Sequence, residues 1–188
     1  MIRTQTILVW LWVLFAVYWL ASARGTKKTE VDEASTSRFL RLVLLSLMFT
    51  LLLTDRLRVG LLGRRFAPDY SAIRWAGIVL TVAGLGLSVW ARRHLGEYWS
   101  DKVALKVDHQ LIRSGPYAFL RHPIYSGVLF GVAGSALAIG EWRGIAVLAV
   151  MSLNYGLKAR REERILQGKF GQSFAEYRRQ AGFLAPKW

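Results

Sequence analysis

The fold turns on residues 123–157, PIYSGVLFGVAGSALAIG-EWR-GIAVLAVMSLNYGL. Two uncharged apolar runs, 123–140 and 144–157, are joined only by Glu141-Trp142-Arg143. Three residues leave room for a turn and nothing else, so the spacing predicts a tight helical hairpin. As a helix the first run is about 27 Å long, close to the hydrocarbon thickness of a bilayer. Working outward, residues 75–91 form another apolar run. Residues 42–54 form a shorter one, which reaches back to 39 if Arg41 snorkels to the interface. Residues 4–23 carry no formal charge and would span about 30 Å. A cleaved signal peptide is the competing reading there, because Ala21-Ser22-Ala23 resembles a cleavage site. The long apolar core and the single preceding Arg favour a retained span. The expected fold is an all-α integral membrane protein: one membrane domain over 1–188, with about five transmembrane helices (4–23, 39–54, 75–91, 123–140, 144–157) and a helical C-terminal tail.

Composition points the same way. Of 188 residues, 53% are hydrophobic and 20% charged, which excludes a disordered chain. There is no Cys, so a disulfide framework, a thiolate metal site and a catalytic thiol are all excluded. The net charge is +14, and the cations are unevenly placed. With the N-terminus outside, the inner segments 24–38, 92–122 and 158–188 hold 18 Lys and Arg, against 7 in the outer segments. That bias predicts an N-out, C-in orientation, with segments 92–122 and 158–188 in the cytosol. The 55–74 loop, with five Arg, runs against the trend. Basic loops facing anionic membrane lipid account for the charge, and no nucleic-acid partner is required.

Two polar segments fall on the same predicted side. The first is Gly115-Pro116-Tyr117-Ala118-Phe119-Leu120-Arg121-His122-Pro123-Ile124-Tyr125. Gly-Pro signals a turn, and Pro123 suits the first position of the fourth span. Arg121 and His122 then lie at the membrane surface beside a helix N-terminus that favours an anion. An ordinary helix start with a snorkelling Arg and interfacial aromatics uses the same residues. The second segment is Lys158-Ala159-Arg160-Arg161-Glu162-Glu163-Arg164, which continues the fifth span. Lys158 and Glu162 lie one turn apart on one face, so the pair suits a ligand carrying both charges. A solvated helix end would also account for it. Further on, Phe170, Phe174 and Tyr177 make an apolar stripe that fits either the bilayer or the bundle.

Several familiar sites are missing. His94, His109 and His122 lack zinc-ligand spacing. Gly84-Leu85-Gly86 fails the dinucleotide fingerprint, and no phosphate-binding loop motif occurs. Gly127-x-x-x-Gly131 reads as close helix packing, within the bundle or between chains.

The run from His109-Gln110-Leu111-Ile112 through Gly115-Pro116-Tyr117 to Arg121-His122-Pro123-Ile124-Tyr125 resembles the isoprenylcysteine carboxyl methyltransferase family. So does the tail, through Glu162-Glu163-Arg164-Ile165-Leu166, Phe170-Gly171 and Glu176-Tyr177. The resemblance covers about residues 96–177, and the first 90 residues match only as membrane spans, in the manner of the short prokaryotic, five-span branch. It implies an S-adenosylmethionine-dependent membrane methyltransferase without a soluble nucleotide-binding domain. Carried over by motif, the cofactor contacts are His109, Gln110, Leu111, Ile112, Tyr117, His122, Pro123, Ile124, Tyr125 and Glu162. Eukaryotic members carry, four residues before the first Glu, an Arg assigned to the substrate carboxylate; here that residue is Lys158, a point charge without the bidentate fork.

The implied reaction is methyl transfer to a carboxylate of a lipophilic or lipidated, isoprenylcysteine-like substrate. Lys158, aided by Arg161, orients the carboxylate, and Glu162 takes the amino end of the cofactor. For an amine acceptor, as in related phospholipid methyltransferases, Glu163 or His122 would be recruited as base. A thiol acceptor, an NADPH-dependent membrane reductase and a non-enzymatic membrane scaffold complete the alternatives. No metal is expected.

Overall fold

The computed structural model describes residues 3–22, 35–54, 57–96 and 111–187. Five helices carry the fold: α1 (Thr4–Ser22), α2 (Ser35–Leu53), α3 (Ser71–Leu95), α4 (Pro123–Ile139) and α5 (Trp142–Gln180). Short 3-10 turns at Gly60–Gly63 and Gly115–Ala118 precede α3 and α4. No strand occurs among the described residues, where only two isolated bridges are found. By length and composition α1 and α3 are able to cross a bilayer, while Leu42–Leu53 and Pro123–Ile139 are apolar but shorter. The fifth predicted span is not a separate helix. It is the first half of α5, which runs on unbroken into the charged tail as far as Gly171, where φ of 49° and ψ of −121° break the helix.

α3 and α4 form the closest pair, and small residues are the reason. Gly77, Thr81, Gly84 and Ser88 on α3 face Gly127, Gly131, Gly134 and Ala138 on α4. A Cβ on Gly84 would lie 2.4 Å from the Gly131 nitrogen and 2.5 Å from the Gly127 oxygen. The Gly127-x-x-x-Gly131 pair therefore serves packing inside the bundle. Close backbones also let hydroxyls bridge the helices. Thr81 Oγ1 donates to the carbonyl of Gly131 at 3.2 Å, and Ser88 Oγ to that of Ile124 at 3.0 Å. Trp12 Nε1 on α1 donates to Ser135 Oγ at 3.0 Å, which pins α1 to the same pair. The apolar core gathers Leu8, Trp12, Leu52, Ile78, Leu85, Val132, Val147 and Met151.

The 141–143 hairpin closes the end remote from the tail. α4 stops at Gly140, whose left-handed φ of 70° reverses the chain. Arg143, counted with the outer segments in the charge tally, is wholly buried. Its Nε donates to Glu141 Oε2 at 2.7 Å, and its Nη1 donates to the carbonyls of Leu51 (3.1 Å) and Thr54 at the end of α2. Arg58 approaches the other Glu141 oxygen at 3.0 Å, and Arg65 and Arg74 both pair with Asp69. Three of the five arginines in the 55–74 loop thus have acidic partners nearby, which reduces their weight in any orientation argument.

Candidate functional site

At the opposite end, three segments converge. Pro123, with φ preset and no N–H to lose, starts α4 and leaves His122 as its capping residue. α5 brings Lys158, Glu162 and Glu163 past this point on successive turns. Beyond α5, the chain returns over the turn before α4: Arg121 N donates to the Gly182 carbonyl at 2.8 Å, and Gly182 N to the Phe119 carbonyl at 3.0 Å. Ser126 Oγ holds the Leu184 carbonyl at 2.8 Å, and Tyr177 Oη holds that of Tyr117 at 2.7 Å. The stripe of Phe170, Phe174 and Tyr177 therefore packs on the bundle, together with Leu111.

His122, 7% exposed, sits between two carboxylates. Its Nδ1 lies 3.6 Å from Glu162 Oε2 and its Nε2 lies 3.2 Å from Glu163 Oε1. Tyr125 Oη donates to Glu162 Oε1 at 2.5 Å, and Lys158 Nζ approaches the same oxygen at 4.0 Å. The Tyr125 ring stacks with His122 at 5.6 Å and with Tyr155 at 5.0 Å, and Lys158 Nζ lies 5.3 Å from its centroid. Arg121 Nε donates to Glu163 Oε1 at 2.6 Å, while Phe183 meets His122 edge-on.

These contacts decide the protonation states. Burial alone would push the Glu162 carboxyl up. Its hydrogen bond with His122, the Lys158 charge and the Tyr125 hydroxyl outweigh that and hold it below the usual carboxylate value. Glu163 behaves alike, with burial overcome by His122 and Arg121. Burial favours neutral His122, but its two carboxylate partners prevail and raise its pKa above the ordinary imidazole value. The cluster is thus two carboxylates threaded by Lys158, His122 and Arg121, in a site largely closed to water.

Of the residues expected from sequence, Lys158, Glu162, Glu163, His122 and Tyr125 meet directly. Pro123 positions His122, and Tyr117, Ile124 and Ile112 form the adjoining apolar patch with Ala91. Leu111 lies against Phe174 and Tyr177. His109 and Gln110 lie outside the described residues. Arg161 does not join the group: its side chain is exposed. Three contributors were not on the expected list. Tyr155 is signalled by its place one turn before Lys158, and Arg121 by its adjacency to His122. Phe183 had no local signal, because it arrives through the folding back of the tail.

The sequence profile of the isoprenylcysteine carboxyl methyltransferase (ICMT) family matches residues 77–168, which include α4 and the first part of α5 with this cluster. The chain is similar to the cobalt-zinc-cadmium resistance protein CzcN of Cupriavidus metallidurans, 32% identical over 121 residues (61% of this chain, 54% of that protein). It is also similar to the protein-S-isoprenylcysteine O-methyltransferase of Schizosaccharomyces pombe, 30% identical over 87 residues (45% and 37%). Among solved structures, the eukaryotic intramembrane Ras methyltransferase ICMT superposes with a TM-score of 0.57 at 22% identity, covering 84% of this chain and 54% of that one. The chain thus spans about half the length, or less, of the proteins it matches. The profile match over nearly half of the chain and the sequence relatives agree that the region holding the cluster is similar to the isoprenylcysteine carboxyl methyltransferase family, and the solved structure shares its helical fold.

Proposed function

We propose that the chain is an S-adenosylmethionine-dependent membrane methyltransferase that esterifies a carboxylate of a lipophilic, isoprenylcysteine-like acceptor. The observation that carries this reading is the pairing of an ionised, enclosed Glu162 with Lys158 over one aromatic ring, Tyr125. The cofactor has two cationic groups, an α-ammonium and a sulfonium. An anionic carboxylate beside the stacked faces of Tyr125 and Tyr155 fits such a ligand. When bound, S-adenosylmethionine supplies a methyl group already activated for displacement.

The protein's own groups then have limited tasks. Glu162 holds the ammonium. Tyr117, His122, Pro123, Ile124 and Tyr125 line the cofactor's place, with Leu111, Ile112, His109 and Gln110 contributed by the preceding segment. Lys158 supplies the cation that orients the acceptor carboxylate, and Arg161 adds charge to the approach rather than a contact. The acceptor carboxyl has an unperturbed pKa near 4, so it is ionised at neutral pH without a base. An amine acceptor would need a base, and both candidates are already engaged: His122 lies between Glu162 and Glu163, and Glu163 is also held by Arg121. A carboxylate acceptor makes no such demand.

The membrane reading follows from the same layout. With five spans and the N-terminus outside, as the Lys and Arg distribution favours, the cluster would lie at the cytosolic face of a prokaryotic membrane, where the cofactor is made. A lipid-tailed acceptor reaches it laterally from the bilayer.

Calorimetric titration of the detergent-purified protein tests this proposal. S-adenosylmethionine and S-adenosylhomocysteine should bind saturably and NADPH should not; binding of NADPH alone would replace methyl transfer with a reductase. Glu162→Gln should weaken cofactor binding, whereas Lys158→Ala should spare it and raise the acceptor KM. The opposite pattern would show that the two roles are exchanged.

A further inference from the structure

The mechanism uses Arg121 only through Glu163, yet this side chain has more donors than its contacts consume. Nε donates to Glu163, and Nη1 to the carbonyls of Arg178 (3.2 Å) and Ala181. Only 10% of the side chain is exposed, and Nη2 has no acceptor among the described residues. Arg121 lines a cleft of about 520 Å³ between the end of α5 and the returning C-terminal segment, walled also by Arg178, Arg179, Lys187, Phe183 and Pro186. Four cations therefore share one concavity. The single carboxylate touching them among the described residues is Glu163, at 2.6 Å from Arg121 and 3.7 Å from Arg178. Lys187 Nζ gives one N–H to the Arg179 carbonyl at 3.1 Å and keeps the others. Like charges gathered this closely repel one another, and an anion between them removes that cost.

We infer that this cleft is an oxyanion site, adjoining the methyl-transfer cluster through Arg121 and Glu163, and that it takes the phosphodiester of an anionic membrane-lipid headgroup. Guanidinium forks match phosphate oxygens in pairs. The cleft includes Arg121, next to the residue that caps α4, so on the membrane reading it sits at headgroup depth. Phe183 and Pro186 give one wall an apolar surface suited to the glycerol and first acyl carbons. A lipid held there would bind the C-terminal segment to the bilayer on the side where acceptors arrive. This inference needs the membrane reading but not the methyl-transfer reading.

The test uses the full chain in phosphatidylcholine nanodiscs, with thermal stability followed as phosphatidylglycerol replaces part of the phosphatidylcholine. Wild type should be stabilised saturably. Arg179→Gln/Lys187→Gln should melt normally in phosphatidylcholine but need about 25-fold more phosphatidylglycerol, the product of about fivefold per cation lost. Arg179→Lys/Lys187→Arg, which keeps both charges, should recover most of the response and show that the loss is not misfolding. An equal response from wild type and the Gln double variant would overturn the site, as would no response from wild type. Inorganic phosphate giving the same stabilisation in pure phosphatidylcholine would overturn the lipid assignment. S-adenosylhomocysteine abolishing the lipid effect would assign the cleft to the cofactor's carboxylate instead.

Discussion

Gly84→Ala should destabilise the bundle because one methyl group has nowhere to go. The new Cβ would lie 2.4 Å from the Gly131 nitrogen, 2.5 Å from the Gly127 oxygen and 2.9 Å from the Phe130 carbonyl carbon. Ordinary contact begins near 3.4 Å, so α3 and α4 must part by about 1 Å. All three obstacles are backbone, which no rotamer change can move. The strain would spread along the interface, since Gly77, Gly127 and Gly134 are equally close to backbone opposite. Overpacking of this kind costs about 1–3 kcal/mol. Ala also gains helix propensity over Gly, which would mask part of that cost. Gly86→Ala supplies the correction: it lies on the same helix with no heavy atom within 4 Å of the added Cβ. The difference between the two variants isolates the steric cost, and a chain of this size loses about 2–4 °C of Tm per kcal/mol. Tryptophan fluorescence on heating is the assay, with Trp12 reporting from its bond to Ser135 on the same interface. Coincident melting of Gly84→Ala and Gly86→Ala would refute the close-packed interface.

Three further outcomes follow from the charged ends of the bundle. Glu141→Gln leaves the wholly buried Arg143 without its carboxylate and should cost about 3–5 kcal/mol, while Glu141→Gln/Arg143→Met should be milder than the single change; equal thermal melts for the two would show that the pair is not coupled. Stability should fall on both sides of neutrality. Glu162 and Glu163, with depressed pKa, stabilise above the unfolded carboxylate value and lose that contribution as pH falls through their folded values; His122, with raised pKa, stabilises at low pH and loses it as pH rises through its folded value. In His122→Asn the alkaline limb should therefore flatten, as read from melting temperature against pH. Tyr125→Phe removes the hydroxyl bond to Glu162 but keeps the ring beneath Lys158, so it should weaken cofactor binding about 5–10-fold, and Tyr125→Leu should weaken it further; equal losses in calorimetry would remove the ring from the argument.

Helix content and the hairpin were legible because apolar run length and a three-residue connector are local signals. The site was legible in part, because Lys158 and Glu162 share a helix face whatever the rest of the fold does. Other features were not. Arg143 looks like an outer-loop charge until α2 brings the carbonyls of Leu51 and Thr54 against it. Arg161, three residues from Lys158, reads as its helper by helix spacing, but it stands about 100° around the helix from Glu162 and is exposed. Phe183 reaches His122 only because the tail doubles back along the chain before α4, a pairing that no periodicity encodes.

The two buried ends of the molecule are mechanically one system. Lys158, Glu162 and Glu163 meet Tyr125 and His122 only if α5 holds a single rotation about its axis, because a slip of one residue turns each side chain by about 100°. Within the site, the bonds from α5 to α4 are side-chain contacts to Tyr125, His122 and Arg121, which can lengthen without breaking a helix. The rotation is fixed harder at the far end. There Arg143 is locked to Glu141 and to the end of α2, and a Cβ on Gly144 would lie 2.7 Å from Ala136 on α4. From Arg143 to Lys158 is about 22 Å of continuous helix with no Pro or break between them. A helix of that length transmits rotation faithfully, so a buried ion pair at the far end sets where Lys158 stands. Placing the membrane run and the charged face on one helix, rather than joining a separate tail by a loop, is what makes that transmission possible.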